Sequence, residues 1–214
     1  GVLLGRMDRS PYQKLLIELA GAERFLTDLH EYPDVVTELL ETMDHRMDEM
    51  FRIALDSSVE AIWQPDNITF DLTPPDSFER FCIPFYRRHG PAVRAAGKPY
   101  IVHMDGRLRM LEPLVREAPF DVLESLSLPR ISGDYGLAEA MDAFPDKVIV
   151  PNFPANLSDG TEAEIRDFLR DLLAEARPGR PFMLQVSEDI PEAGWQRTLA
   201  LLSAFMPMQV DHGR

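Results

Sequence analysis

A chain of 214 residues, 45% of them hydrophobic, is long enough for one large domain, and 36 acidic against 22 basic residues give it a net charge of −14. That balance excludes a binder of the nucleic-acid backbone, which needs clustered Lys and Arg. A single cysteine, Cys82, excludes an intrachain disulfide and a thiolate zinc cluster. No run approaches the roughly 18 apolar residues of a membrane span, and no signal peptide is visible. The expectation is therefore a soluble cytoplasmic protein without a membrane or nucleic-acid partner.

In chain order, Val2 to Leu4 reads as a short strand and Gly5 to Ser10 as a polar loop. Helices are expected over Pro11 to Leu19 and Ala22 to Leu29. Pro33 opens the clearest helix, in which Val36, Leu39, Leu40, Met43, Met47, Met50, Phe51 and Ala54 recur at spacings of mostly three and four and predict a core stripe. Val59 to Trp63 is a short strand ending in the loop QPDN. Thr73 is placed to cap, and Pro74 to start, the next helix, whose Phe78, Phe81 and Phe85 should pack inward. Pro84 and Gly90-Pro91 should break or kink it.

Lys98 to Gly106, KPYIVHMDG, follows as a strand with chemistry at its end. Alternation puts Tyr100, Val102 and Met104 on one face and Ile101, His103 and Asp105 on the other. Leu108 to Val115 is then helical, Asp121 to Leu126 a strand, Leu137 to Phe144 a helix closed by Pro145, and Lys147 to Val150 a buried strand. Thr161 and Glu164 form a capping box. The helix behind it carries Ile165, Phe168, Leu169, Leu172 and Leu173. Pro181 to Val186 is a last strand, and a helix with Trp195, Leu199, Leu202 and Phe205 follows.

Five alternations of strand and helix predict an α/β protein with a parallel sheet, either a closed barrel or a doubly wound sheet. No glycine-rich nucleotide-binding loop follows any strand, which removes the commonest forms of the second. Asp66 with Asn67, His103 with Asp105, Asn152, and Glu188 with Asp189 all stand just beyond strand ends, where β/α proteins place their chemistry. His103, Asp105 and Glu188 make one nitrogen and two oxygen donors, a set suited to Zn²⁺, Mn²⁺ or Fe²⁺ with positions left for substrate. The plainer alternative is a core histidine among ordinary surface acids.

The blocks LAGAERFLTDLHEYPDVVTELLETMDHRM, PPDSFERFCIPFYRRHGPAVRAAGKPYIVHMDG, VIVPNFPANLSDGTEAEIRDFLRDLL and SEDIP resemble, in order and spacing, the uroporphyrinogen decarboxylase superfamily, which includes cobalamin-dependent methyltransferases. The resemblance covers nearly the whole chain. It implies a (β/α)₈ TIM barrel lacking its first two or so β/α units, with residues 1–214 a single domain; Gly1 leading straight into an apolar strand fits that reading. In the family methyltransferases a zinc-binding His-x-Cys-Gly matches His103 to Gly106, with Asp105 standing where the cysteine is expected. Glu188, before Asp189-Ile190-Pro191, stands where a second zinc cysteine is expected. Asn152 resembles a family Gly-Asn motif, and Asp66 falls in the region lining the family cavity.

The implied function is a methyltransferase-like enzyme acting on a small molecule, with His103, Asp66 and Asn152 in catalysis, a metal on His103, Asp105 and Glu188, and a corrinoid brought by a partner protein. The alternatives are a decarboxylase of uroporphyrinogen or another small acid, and a non-catalytic corrinoid- or small-molecule-binding protein. An incomplete barrel would expose a sheet edge and favour a homo-oligomer.

Overall fold

A computed structural model describes residues 1–186, 189–190, 192 and 194–205. Its centre is a five-stranded, all-parallel sheet in chain order: β1 (Leu4–Arg6), β2 (Ala61–Gln64), β3 (Tyr100–His103), β4 (Val122–Leu126) and β5 (Val148–Pro151). Phe182 and Gln185 extend it with parallel bridges to Ile149 and Asn152, so the segment expected as a last strand pairs at two points. A doubly wound sheet would reverse its strand order at a switch point. This one does not reverse, and it is consistent with part of a barrel-like arrangement. The strand expected at Val2 to Leu4 lies two residues later, as β1.

The helices are α1 (Pro11–Gln13), α2 (Ala22–Glu31), α3 (Pro33–Asp56), α4 (Pro75–Ser77), α5 (Ile83–Ala95), α6 (Glu112–Glu117), α7 (Leu137–Ala143), α8 (Glu162–Glu175) and α9 (Trp195–Phe205). A π turn, Lys14–Leu19, continues α1, and another, Phe78–Cys82, joins α4 to α5. None of the described helices is long and apolar enough to cross a membrane.

The two faces of the sheet differ. Ile62, Val102, Leu123 and Ile149 are fully buried. On the same face Tyr100 meets Phe51 of α3 and Tyr86 of α5 edge-on, at ring separations of 6.0 and 6.4 Å. The other face carries Arg6, Trp63, Ile101, His103, Val122 and Glu124, which pair across neighbouring strands and include several half-buried side chains.

Three sequence expectations need correction. In α3 the buried residues are Val36, Leu40, Met47 and Phe51, while Leu39 is 45% exposed and Met50 is also exposed. At 3.6 residues per turn, Leu39 lies roughly a quarter turn off the line through Leu40, Met47 and Phe51. Pro84 and Pro91 do not break α5. The Ile83 N–H bonds back to Phe78 O in π fashion, so the missing N–H of Pro84 falls where the register changes. Pro91 follows Gly90, which has no side chain to oppose the proline ring. A Cβ on Gly90 would also stand 2.3 Å from Pro119 O.

Thr73 does not cap: Pro74 is the N-cap of α4, and the buried Thr73 hydroxyl accepts from Gln13 Nε2 at 2.8 Å. In α9 Trp195 and Leu199 are exposed, and Thr198, Leu201 and Leu202 form the buried side. The Thr161–Glu164 capping box of α8 forms as expected.

Candidate functional site

The site grows from the half-buried face at the C-terminal ends of β2, β3 and β4. His103 and Glu124 are direct partners in the β3–β4 register, so their side chains leave the sheet side by side. Glu124 Oε2 lies 2.7 Å from His103 Nδ1 and accepts from Trp63 Nε1 at 2.7 Å. The Trp63 and His103 rings meet edge to face, 5.9 Å apart. On the other side of the imidazole, Nε2 stands 3.6 Å from Asp105 Oδ2, which also accepts from Asn67 Nδ2 at 2.9 Å. Arg9 donates to Asn67 Oδ1 and Pro65 O and pairs with Glu18 at 2.9 Å, tying the loop after β1 into the array.

Two backbone features aim these groups. Ser125, at φ +66°, sits in a register shift between Glu124 and Leu126, a bulge that ends regular pairing immediately after the carboxylate. Asn67 adopts φ +52°, an uncommon conformation for a residue with a side chain. Beside them opens a cleft of about 390 Å³ lined by Arg9, Asn67, Thr69, Asp71, Asp105 and Arg107 among others.

The electrostatics centre on His103, whose side chain is 13% exposed. Burial alone would lower its pKa, but hydrogen bonding and attraction from Asp105 and Glu124 outweigh that and raise it to about 9. Burial pushes the Asp105 carboxyl up, while His103 and Asn67 overcome this and hold it below the usual range. Glu124 is only 4% exposed, and its second oxygen, Oε1, has no hydrogen-bond partner among the described residues.

The structure thus brings His103, Asp105 and Asn67 together, as their strand-end positions suggested. Glu124 escaped sequence reading. The available signal was an acid inside the apolar run Val122 to Leu126, but its meaning depends on which strand pairs with which. Asp66 takes a different place. It is fully buried, with its carboxylate accepting from Tyr86 Oη at 2.6 Å, Ser10 N at 2.7 Å and Gln64 Nε2 at 3.2 Å. Burial raises its pKa against those hydrogen bonds.

Asn152 is buried at the end of β5, with its backbone N–H on Leu126 O and a bridge to Gln185. Glu188 lies outside the described residues. Among those described, no three His, Cys, Asp or Glu side chains are grouped to hold a metal ion. With Glu124 on Nδ1, the other imidazole nitrogen of His103, Nε2, is left facing Asp105 Oδ2. Cys82 is fully buried, and burial pushes its thiol well up, so it is not a reactive thiolate.

The family model described as uroporphyrinogen decarboxylase (URO-D) matches residues 14–194, most of the chain and all of this array except Arg9. The chain belongs to the uroporphyrinogen decarboxylase family. In fold, this family member is similar to a solved methyltransferase from Methanosarcina mazei, with a TM-score of 0.72 and 14% sequence identity. That likeness covers 95% of this chain and 59% of the methyltransferase, so the chain spans about three-fifths of that protein's length. A comparison with curated proteins finds no match.

Proposed function

We propose that this chain is a methyltransferase-like enzyme of its family, acting on a small molecule at the C-terminal edge of the sheet. In this reading residues 1–214 form one domain, part of a (β/α)₈ barrel. The observation that carries it is the Glu124–His103–Asp105 array. Two carboxylates flanking one imidazole in a half-buried site call for a counter-charge, which a proton on His103 or a divalent cation would supply. Glu124 holds the Nδ1 proton and leaves Nε2 to point at Asp105, the arrangement in which an imidazole is oriented to ligate a metal.

His103, Asp105 and, by its place in the sequence, Glu188 would hold Zn²⁺, Mn²⁺ or Fe²⁺. When bound, such an ion supplies Lewis acidity or activates a nucleophile. Within the chain, Glu124 fixes the imidazole tautomer, Asn67 and Arg9 hold Asp105, and Asn152 orients the substrate. Asp66 positions the loop at Ser10 against α5. A corrinoid protein as the methyl-carrying partner completes this reading, in keeping with the resemblance of the sequence to cobalamin-dependent methyltransferases.

Calorimetric titration of metal-stripped protein with Zn²⁺ and Mn²⁺ tests the reading. Saturable binding should release protons at neutral pH, because the ion displaces the one held by His103. Asp105→Asn should weaken binding by removing a ligand charge, and Glu124→Gln by roughly 10–100-fold through the imidazole. Absence of saturable binding, or an isotherm unchanged by Asp105→Asn, overturns it.

A second reading has one observation in its favour. An imidazolium maintained at neutral pH suits protonation or stabilisation of a carbanion, as in decarboxylation of a small acid. Release of CO₂ from such an acid by the metal-stripped protein would select it.

A further inference from the structure

We infer that Asp66 is a proton-operated latch: as a carboxylic acid it closes segment 8–10 onto the end of β2, and as a carboxylate it lets that segment go. The segment connects β1 to α1 and lies against the residues that follow β2. Ser10 N donates to Asp66 Oδ1 at 2.7 Å, Gln64 Nε2 to Asp8 O, and Arg9 to Pro65 O and Asn67 Oδ1. Tyr86 Oη and Gln64 Nε2 also donate to the Asp66 carboxyl. The latch reaches the site, because Arg9 holds Asn67 and Asn67 holds Asp105 beside His103.

Two observations point to a proton. Asp66 is fully buried with no ion-pair partner among the described residues, and a lone buried carboxylate is costly. The cations of the adjoining segment and helix are engaged elsewhere, Arg9 with Glu18 and Lys14 with Asp8 and Glu18. Its titratable neighbours are Tyr86 of α5, Cys82 of the π turn before it and Tyr100 of β3, each pushed well up by burial and so neutral. Because Asp66 has no exposed surface, no further group reaches it without displacing one of these. The second observation concerns its hydrogen-bond partners. Gln64 Oε1 and Ser10 Oγ, on two residues that bond the carboxyl, are buried without a partner among the described residues. An amide oxygen only accepts, so a carboxylate beside it adds another acceptor, whereas the acid supplies a donor. Burial raises the Asp66 pKa and its three donors oppose the rise, so the proton is held at low pH and lost as pH rises. The ionised group then needs water. Segment 8–10, with Asp8 and Arg9 partly exposed, is the cover that opens to admit it, drawing Arg9 off Asn67.

Infrared difference spectroscopy on the metal-free protein tests the proton. At the lower end of the pH range in which the protein is folded, subtracting Asp66→Asn from the parent should leave the carbonyl band of a buried carboxylic acid. That band should give way to a carboxylate band as pH rises. Hydrogen exchange at the Ser10 N–H, corrected for the intrinsic pH dependence of exchange, tests the latch. Its protection should fall at least about tenfold across the same transition, while Leu123 of β4 keeps its own. In Asp66→Asn, which is neutral at every pH, Ser10 protection should stay level. Tyr86→Phe should move the transition to higher pH, because the lost hydroxyl stabilises the carboxylate, and it replaces Asp66→Asn should that variant not fold. A carboxylate band at every pH, Ser10 protection that ignores pH, or a pH dependence retained in Asp66→Asn overturns the latch. None of these measurements needs a metal. A failed metal titration would therefore remove the proposed metal chemistry and leave the latch standing, and loss of the Ser10 response alone would do the reverse.

Discussion

His103 is the residue on which the site's electrostatics converge, and its contribution to stability has a definite sign. Its folded pKa is raised from 6.5 to about 9, so the stabilisation it brings is fully present below pH 6.5 and lost as pH rises through 9. Lys147 acts oppositely. Burial lowers it from 10.5 to about 8 although its Nζ donates to Ala118 O and Phe120 O, so its contribution is lost as pH falls through 8. Because the two overlap, the difference between parent and His103→Gln isolates the first. Urea denaturation should find the variant less stable by on the order of 2–3 kcal/mol at pH 6, with a gap that narrows by pH 10. A gap independent of pH would show that His103 acts through packing alone.

How much of this was legible divides along physical lines. His103 and Asp105 could be read because two-residue alternation is a local property of one strand. Glu124 and Trp63 could not, because their meaning arises from register between strands, which no local pattern records.

At the scale of the element, the sequence records local chemistry and not the three-dimensional context around it. The Thr161–Glu164 box needs only four residues of sequence and forms as expected. The buried stripe of α3 is narrower than its three- and four-residue spacing predicts, because that spacing admits residues a quarter turn off the buried line. In the structure Phe51 is 3% exposed and stacks on His89 at 4.1 Å, while Leu39 faces outward. Phe51→Ala should therefore cost about 3–5 kcal/mol through lost burial and a cavity, whereas Leu39→Ala should stay within about 0.5 kcal/mol. Equal shifts in the urea midpoint for the two variants would contradict this packing. The prolines of α5 show the same limit: Pro84 is tolerated because a π turn precedes it, and nothing in the local sequence announces that turn.

Across the whole molecule, alternation of strands and helices identified the parallel sheet because each βα unit carries its own hydrophobic period. The difference between the sheet's two faces was visible only once neighbours were known. Charge is the other property of this scale. Many acidic side chains are paired over short distances, as in Arg52 with Glu49 and Arg166 with Glu162. Such exposed pairs contribute little each, about 0–1 kcal/mol. The excess of acids that gives −14 has no such compensation and repels itself over longer range. Salt acts on the two differently. Raising ionic strength from about 0.01 M to about 0.15 M shortens the screening length from about 30 Å to about 8 Å, which removes long-range repulsion but leaves contacts near 3 Å partly intact. The melting temperature should therefore rise with NaCl over this range, by a few degrees for each kcal/mol of repulsion relieved. Scanning calorimetry at constant pH measures it. A melting temperature that falls with salt would mean that the short ion pairs outweigh the net charge.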